Sequence, residues 1–210
     1  MVTQKMWEHG KNVTIIGLAI LSLSTLPLMS CSTINQNAAP KARRKPTIQK
    51  DSAPKKYINP NKVKNAKPIS VKQSKYGNKP TYCVNDKCYK VLSSAKGYSK
   101  VGVASWYGTK FQGKLTSDRE IYDPFKMTAA STTLPIPTFV QVTNLTNSRK
   151  IIVKVNDRGP FDKNRIIDLS YIAAEKLGFI KDGTARVRVT AIDPKLWQLK
   201  HGVPIRVAIG

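Results

Sequence analysis

The chain has 210 residues, room for one domain and an appendage. It carries 36 Lys and Arg against 12 Asp and Glu, a formal net charge of +24, which calls for an anionic partner: nucleic acid, acidic lipid or a carboxylate-bearing polymer. Of the two His, His9 falls in the first thirty residues, which read as a removable signal, and His201 alone remains for a Cys/His zinc set, so neither a metal nor a cofactor is expected.

Lys5 and Lys11 precede an apolar run, Val13 to Leu28, of about 16 residues, shorter than the roughly 20 needed to span a bilayer. A basic start, a short apolar core and small residues before a cleavage point read as a secretory signal over residues 1–30. Leu28-Met29-Ser30-Cys31 resembles a bacterial lipobox, which implies a diacylglycerol on Cys31. Ser32 after it resembles the outer-membrane sorting pattern, so the expected location is the cell envelope, lipid-anchored on the periplasmic face of an outer membrane. Export removes nucleic acid from the possible partners.

Residues 32–80 hold 13 Lys and Arg, one acid (Asp51) and several prolines, a composition that predicts a basic flexible linker. Its charge suits anionic head groups or lipopolysaccharide. Residues 81–100 read as a hairpin: with Asn85-Asp86 as a two-residue turn, Cys83 faces Cys88 and a disulfide staples the pair. From there the pattern is short β-rich runs: 81–84, 87–92, 101–106, 139–144, 151–155 and 186–192. Ser170, then residues 171–177 and Gly178, read as a capped helix with a glycine stop. The fold class is mainly β with one or two short helices, a small closed barrel over 101–193 and a tail over 194–210.

The most informative stretch is 151–161. A β-branched run, Ile151 to Val155, ends at Asn156-Asp157-Arg158-Gly159-Pro160, a cluster of turn formers that puts the Asp157 carboxylate at the rim of a sheet. Alternation turns Val153 and Val155 inward and gives Lys154 and Asn156 a shared face. Upstream lie Gly102-Val103-Ala104-Ser105-Trp106-Tyr107-Gly108, Thr116-Ser117-Asp118-Arg119-Glu120-Ile121-Tyr122-Asp123 and Met127-Thr128-Ala129-Ala130-Ser131. Thr133-Leu134-Pro135, Val140 to Leu145 and Arg165-Ile166-Ile167-Asp168-Leu169-Ser170 follow. In this order and spacing they closely resemble the rare lipoprotein A family over roughly residues 81–193.

The resemblance implies a six-stranded double-psi β-barrel and an endolytic lytic transglycosylase acting on peptidoglycan. Such an enzyme cleaves between N-acetylmuramic acid and N-acetylglucosamine and leaves 1,6-anhydro ends. A carboxyl group protonates the glycosidic oxygen, then takes the proton of the muramic C6 hydroxyl as the ring closes; no water is consumed. Asp157 matches the family's catalytic Asp and Glu120 a second acid. Trp106, Tyr107, Asn156, Ser131 and Arg158 are expected to touch substrate: aromatic faces suit sugar rings, and Arg158 suits a lactyl or peptide carboxylate or pairs with Asp157. Asp168 is the alternative acid, with capping of the following helix as its structural role. The single His of the mature chain, His201, leaves no Ser-His or Cys-His nucleophile system. Ser131 stands where the family has His, and Gln112 where relatives show His. These departures favour a rival from another class, a non-catalytic expansin-like module that binds peptidoglycan. Relatives often carry a C-terminal sporulation-related repeat; no such repeat is read here, so septal recruitment through it is not expected.

Overall fold

The computed structural model describes residues 52–205. The predicted signal peptide and the predicted lipidation site, Cys31, lie outside them. Eight strands and two α-helices are present: β1 Thr81–Val84, β2 Lys87–Lys90, β3 Ser99–Tyr107, β4 Thr128–Ala130, β5 Thr138–Asn144, β6 Lys150–Asp157, β7 Arg165–Ser170, α1 Tyr171–Leu177, β8 Ala185–Ala191 and α2 Pro194–Lys200.

Strands β3 to β8 close into a six-stranded double-psi barrel in the order β3-β7-β4-β6-β5-β8. The pairs β3/β7 and β4/β6 are parallel and the other four antiparallel. Alternation fills the interior: Val153 and Val155 of β6, Val140 and Val142 of β5 and Leu169 of β7 are fully buried. Truncating one such residue to Ala costs about 2–5 kcal/mol. Strand β3 lies close against β7 because residue 102 is Gly; a Cβ there would sit 2.6 Å from Cγ2 of Ile166. Helix α1 starts at Ser170, whose Oγ accepts from Ala173 N at 3.4 Å, and stops at Gly178 in the left-handed region (φ 80°). Asp168, two residues earlier, lies within β7 and does not cap the helix.

The hairpin β1/β2 turns at Asn85 and Asp86, both with positive φ, as a two-residue turn between right-twisted strands requires. Cys83 and Cys88 face each other and are joined, Cα to Cα 4.0 Å; Tyr82 and Tyr89 stack beside them, their ring centroids 5.4 Å apart.

Two boundaries differ from the sequence expectation. Residues 58–80 do not form a flexible linker but a strap laid along the barrel. Ile58, Val63 and Ala66 pack against its core. Ala66 N donates to Ile152 O (3.0 Å) and Ser74 N to Ile136 O (2.9 Å). Composition hid this because a few widely spaced apolar residues and backbone hydrogen bonds hold the strap, while its lysines face solvent. Residues 194–200 are a helix rather than tail: Asp193 caps it through Lys195 N (2.9 Å) and Leu196 N (3.2 Å). Gln198 is buried and its Oε1 accepts from Ser70 N of the strap (3.1 Å).

Candidate active site

Strand β6 ends on Asp157. A register shift on β4 between Ala129 and Ala130 brings Asp157 opposite Ala130, where the unshifted β6 partner would be Asn156. Gly159, at φ 135°, then turns the chain away, a conformation that L side chains rarely adopt. Ala130 also pairs with Asp168 of β7, and Asp168 with Ser105 of β3. One rung of the barrel therefore reads Asp157, Ala130, Asp168, Ser105, and its side chains share one face. The two carboxyls are two strands apart, roughly 10 Å at the backbone.

The loop before Glu120 folds over this rung. Oδ1 of Asp157 accepts from Ser117 N (2.8 Å), Ser117 Oγ (2.6 Å) and Arg158 N (2.7 Å). Oδ2 accepts no hydrogen bond among the described residues. With three donors on one oxygen, a proton on this carboxyl resides on the other.

Glu120 is held at both oxygens, by Lys154 Nζ on Oε1 and by Asn156 Nδ2 on Oε2 (2.7 Å). Burial raises its pKa, but the hydrogen bonds and charge of Lys154, with Asn156 and Lys126, outweigh it and bring the carboxyl below its ordinary value. Glu120 is therefore a carboxylate at neutral pH. Asp118, 3.9 Å from Lys154, accepts from Thr116 Oγ1 (2.7 Å); its pKa is raised, chiefly by burial. Burial pushes Asp168 up to about 6; Arg165 at 3.1 Å opposes the shift and Asp162 adds to it.

Tyr107 faces the same region. It is buried against Tyr122 (ring centroids 4.3 Å), and burial first, then Tyr122 and Asp157, raise its pKa well above the ordinary value. Its hydroxyl faces Thr128 Oγ1 at the edge of hydrogen-bonding geometry, and neither has another partner among the described residues; Oδ1 of Asn156 is buried without one. A buried polar atom without a partner is uncommon in folded proteins, so Asn156 Oδ1 calls for a water or a ligand atom.

Residues 99–189 match the family described as "Lytic transglycolase". The chain is 42% identical over 197 residues to the endolytic peptidoglycan transglycosylase RlpA of Pseudomonas aeruginosa, a match covering 88% of this chain and 55% of that protein. It is 49% identical over 142 residues to the protein of the same name in Vibrio cholerae, covering 68% of this chain and 54% of that one. The barrel domain is RlpA-like, of the rare lipoprotein A type. It spans about half the length of the curated relatives it matches. A fold likeness to the Streptomyces papain inhibitor covers 46% of this chain and 96% of that one at 22% identity, with a TM-score of 0.39.

The structure sets Tyr107 near Asp157, ties Glu120 to the adjacent Asn156, and gives three other positions structural partners. Trp106 alternates away from Tyr107, packs partly buried against the core and stands edge-on to Tyr171 (5.7 Å). Ser131 is 1% exposed and its Oγ accepts from Thr133 N (3.4 Å) and Leu134 N (3.3 Å), so it closes a turn and does not reach substrate. Arg158 neither pairs with Asp157 nor offers a free fork. Its guanidinium donates to Gly77 O (2.7 Å), Ser131 O (2.9 Å), Leu134 O (2.5 Å) and Asn78 Oδ1 (3.0 Å), clamping the strap and the 131–134 turn to the barrel. One N–H of five remains. Sequence reasoning gave no role to Ser117, which holds Asp157, or to Lys154, which holds Glu120. Thr116-Ser117-Asp118 does read as a turn cluster, but nothing local says that the turn reaches a residue 40 positions on.

Proposed function

We propose that the protein is a peptidoglycan lytic transglycosylase of the cell envelope, cleaving glycan strands internally with formation of 1,6-anhydro-muramic ends, and that it serves cell wall remodelling or division. The observation that carries this reading is the asymmetry of Asp157: one oxygen is pinned by three donors and the other accepts no hydrogen bond among the described residues, while the neighbouring Asn156 holds the Glu120 carboxylate. In this reading Oδ2 of Asp157 gives its proton to the glycosidic oxygen as the bond to the muramic C1 breaks. The resulting carboxylate takes the proton of the C6 hydroxyl as that oxygen closes on C1. Glu120, anionic through Lys154 and Asn156, supports the oxocarbenium-like centre electrostatically. Asn156 supplies an unpaired amide oxygen beside the acid. The family match and the names of the relatives support the substrate class.

The same reading puts the chain on a membrane through a lipid on Cys31, outer-membrane in placement, with the first thirty residues removed. A second reading, a non-catalytic wall-binding module, is favoured by one observation: the position expected to be His is a buried Ser131 whose hydroxyl serves a turn.

Release of soluble fragments from purified sacculi separates the two. The protein is expected to release glycan while Asp157→Asn binds sacculi and releases none. Binding without release by the unmutated protein would overturn the enzyme in favour of the binding module.

A further inference from the structure

A cavity of about 810 Å³ opens beside Glu120. Phe125, Met127 and Phe139 make it apolar, and Ile121, 63% exposed, forms its rim. Its charged groups are Lys64, Lys67, Lys126 and Lys154 against a single acid, Glu120. Lys154 is the counter-ion of Glu120. Lys64, Lys67 and Lys126 form no ion pair among the described residues.

Two of these lysines come from the strap, outside the matched barrel domain, and their backbone is fixed. Val63 and Ala66 pack on the core, Ala66 N bonds to Ile152 O (3.0 Å), and Lys176 Nζ donates to Val63 O. With Glu120 neutralised by Lys154, the three remaining like charges around the open cavity leave a net positive field that draws in an anion. A volume of this size takes a ligand of a few rings.

We infer that this cavity is a subsite for a carboxylate-bearing stretch of glycan, its anionic group held by Lys64, Lys67 and Lys126 while the apolar floor carries a sugar face. The inference rests on the reading of the neighbouring acids as a glycan-cleaving site. The carboxylate has two sources, the free lactyl group of a peptide-free strand or the stem peptide of a substituted one.

The test measures Kd and KM on peptide-free strands, peptide-bearing strands and peptide-free strands whose carboxylates have been converted to methyl amides. It compares the unmutated protein with the triple variant Lys64→Gln/Lys67→Gln/Lys126→Gln. A control variant loses three charges outside the cavity, Lys100→Gln/Arg186→Gln/Arg188→Gln. Exposed ion pairs are worth roughly two- to fivefold each, so the triple variant is expected to weaken binding of carboxylated strands about tenfold or more. KM for carboxylated strands should rise, and binding of amidated strands should stay the same. A loss confined to peptide-free strands assigns the lactyl group, and one confined to peptide-bearing strands assigns the stem. Equal binding of amidated and carboxylated strands by the unmutated protein overturns the subsite, and so does an equal loss in the control variant. If no strand is cleaved by any form while the charge-selective binding persists, the subsite stands and the transglycosylase reading falls.

Discussion

Asp168 carries a cost that pH should reveal. Its side chain is 15% exposed and burial pushes its pKa from 3.8 to about 6, despite Arg165 at 3.1 Å. The folded state therefore binds this proton more tightly than the unfolded state. Below about pH 4 both states hold the proton and there is no penalty. Between about pH 4 and pH 6 the unfolded state ionises first, so stability falls as pH rises, and the fall is complete above the folded pKa. Two units at 1.36 kcal/mol each make the penalty about 3 kcal/mol at pH 7. Asp168→Asn removes it and keeps an oxygen that accepts from Arg165 Nη1, whose attraction is already contained in the net shift. The variant should thus be about 3 kcal/mol more stable than the unmutated protein at pH 7 and nearly equal to it at pH 4, in urea unfolding at a series of pH values. A stability difference independent of pH would refute the argument, because it would mean that Asp168 ionises equally easily in both states.

Other substitutions test the site and its frame. Ser117→Ala removes one of the three donors to Asp157 Oδ1 and lets the carboxyl turn; we expect kcat on peptidoglycan to fall about tenfold with stability nearly unchanged. Arg158→Lys cannot reproduce the four-acceptor clamp and should cost about 2–3 kcal/mol in chemical denaturation, with loss of amide-exchange protection in residues 77–78 of the strap. Arg158→Lys that leaves strap protection intact would show that the strap is held by its other bonds alone. Reducing or replacing Cys83 and Cys88, only five positions apart, should lower stability by about 2 kcal/mol, the small value a short closed loop allows; no change would mean that the hairpin folds apart from the barrel.

How far the sequence could be read follows from the range over which each signal acts. Local signals were legible. The run Ile151–Val155 ends on Asp157 as the turn formers require, Asn85-Asp86 makes the hairpin that opposes the two cysteines, and Ser170 and Gly178 bound α1. Strand β4 was not legible as a strand, because Thr128-Ala129-Ala130 has no period and low β propensity; it is a strand because β6 and β7 pair with it on both sides. The partners of Ser131, Trp106 and Arg158 were not legible for the same reason. Each side chain is decided by partners far along the chain: Arg158 meets acceptors 24 to 81 positions away, which makes it a clamp where its neighbour Asp157 suggested a ligand. The strap was misread because net charge describes its exposed side chains and is blind to the backbone bonds that fix it.

The central claim is that Asp157 acts first as acid and then as base without water. Mass spectrometry of peptidoglycan digested in isotopically heavy water, by the protein and by Asp157→Asn, tests it most directly. The account predicts anhydro-muramic ends, one water lighter than hydrolytic ends and free of heavy oxygen, made by the unmutated protein and absent with Asp157→Asn. Reducing ends that carry heavy oxygen, or anhydro ends that persist in Asp157→Asn, would contradict it.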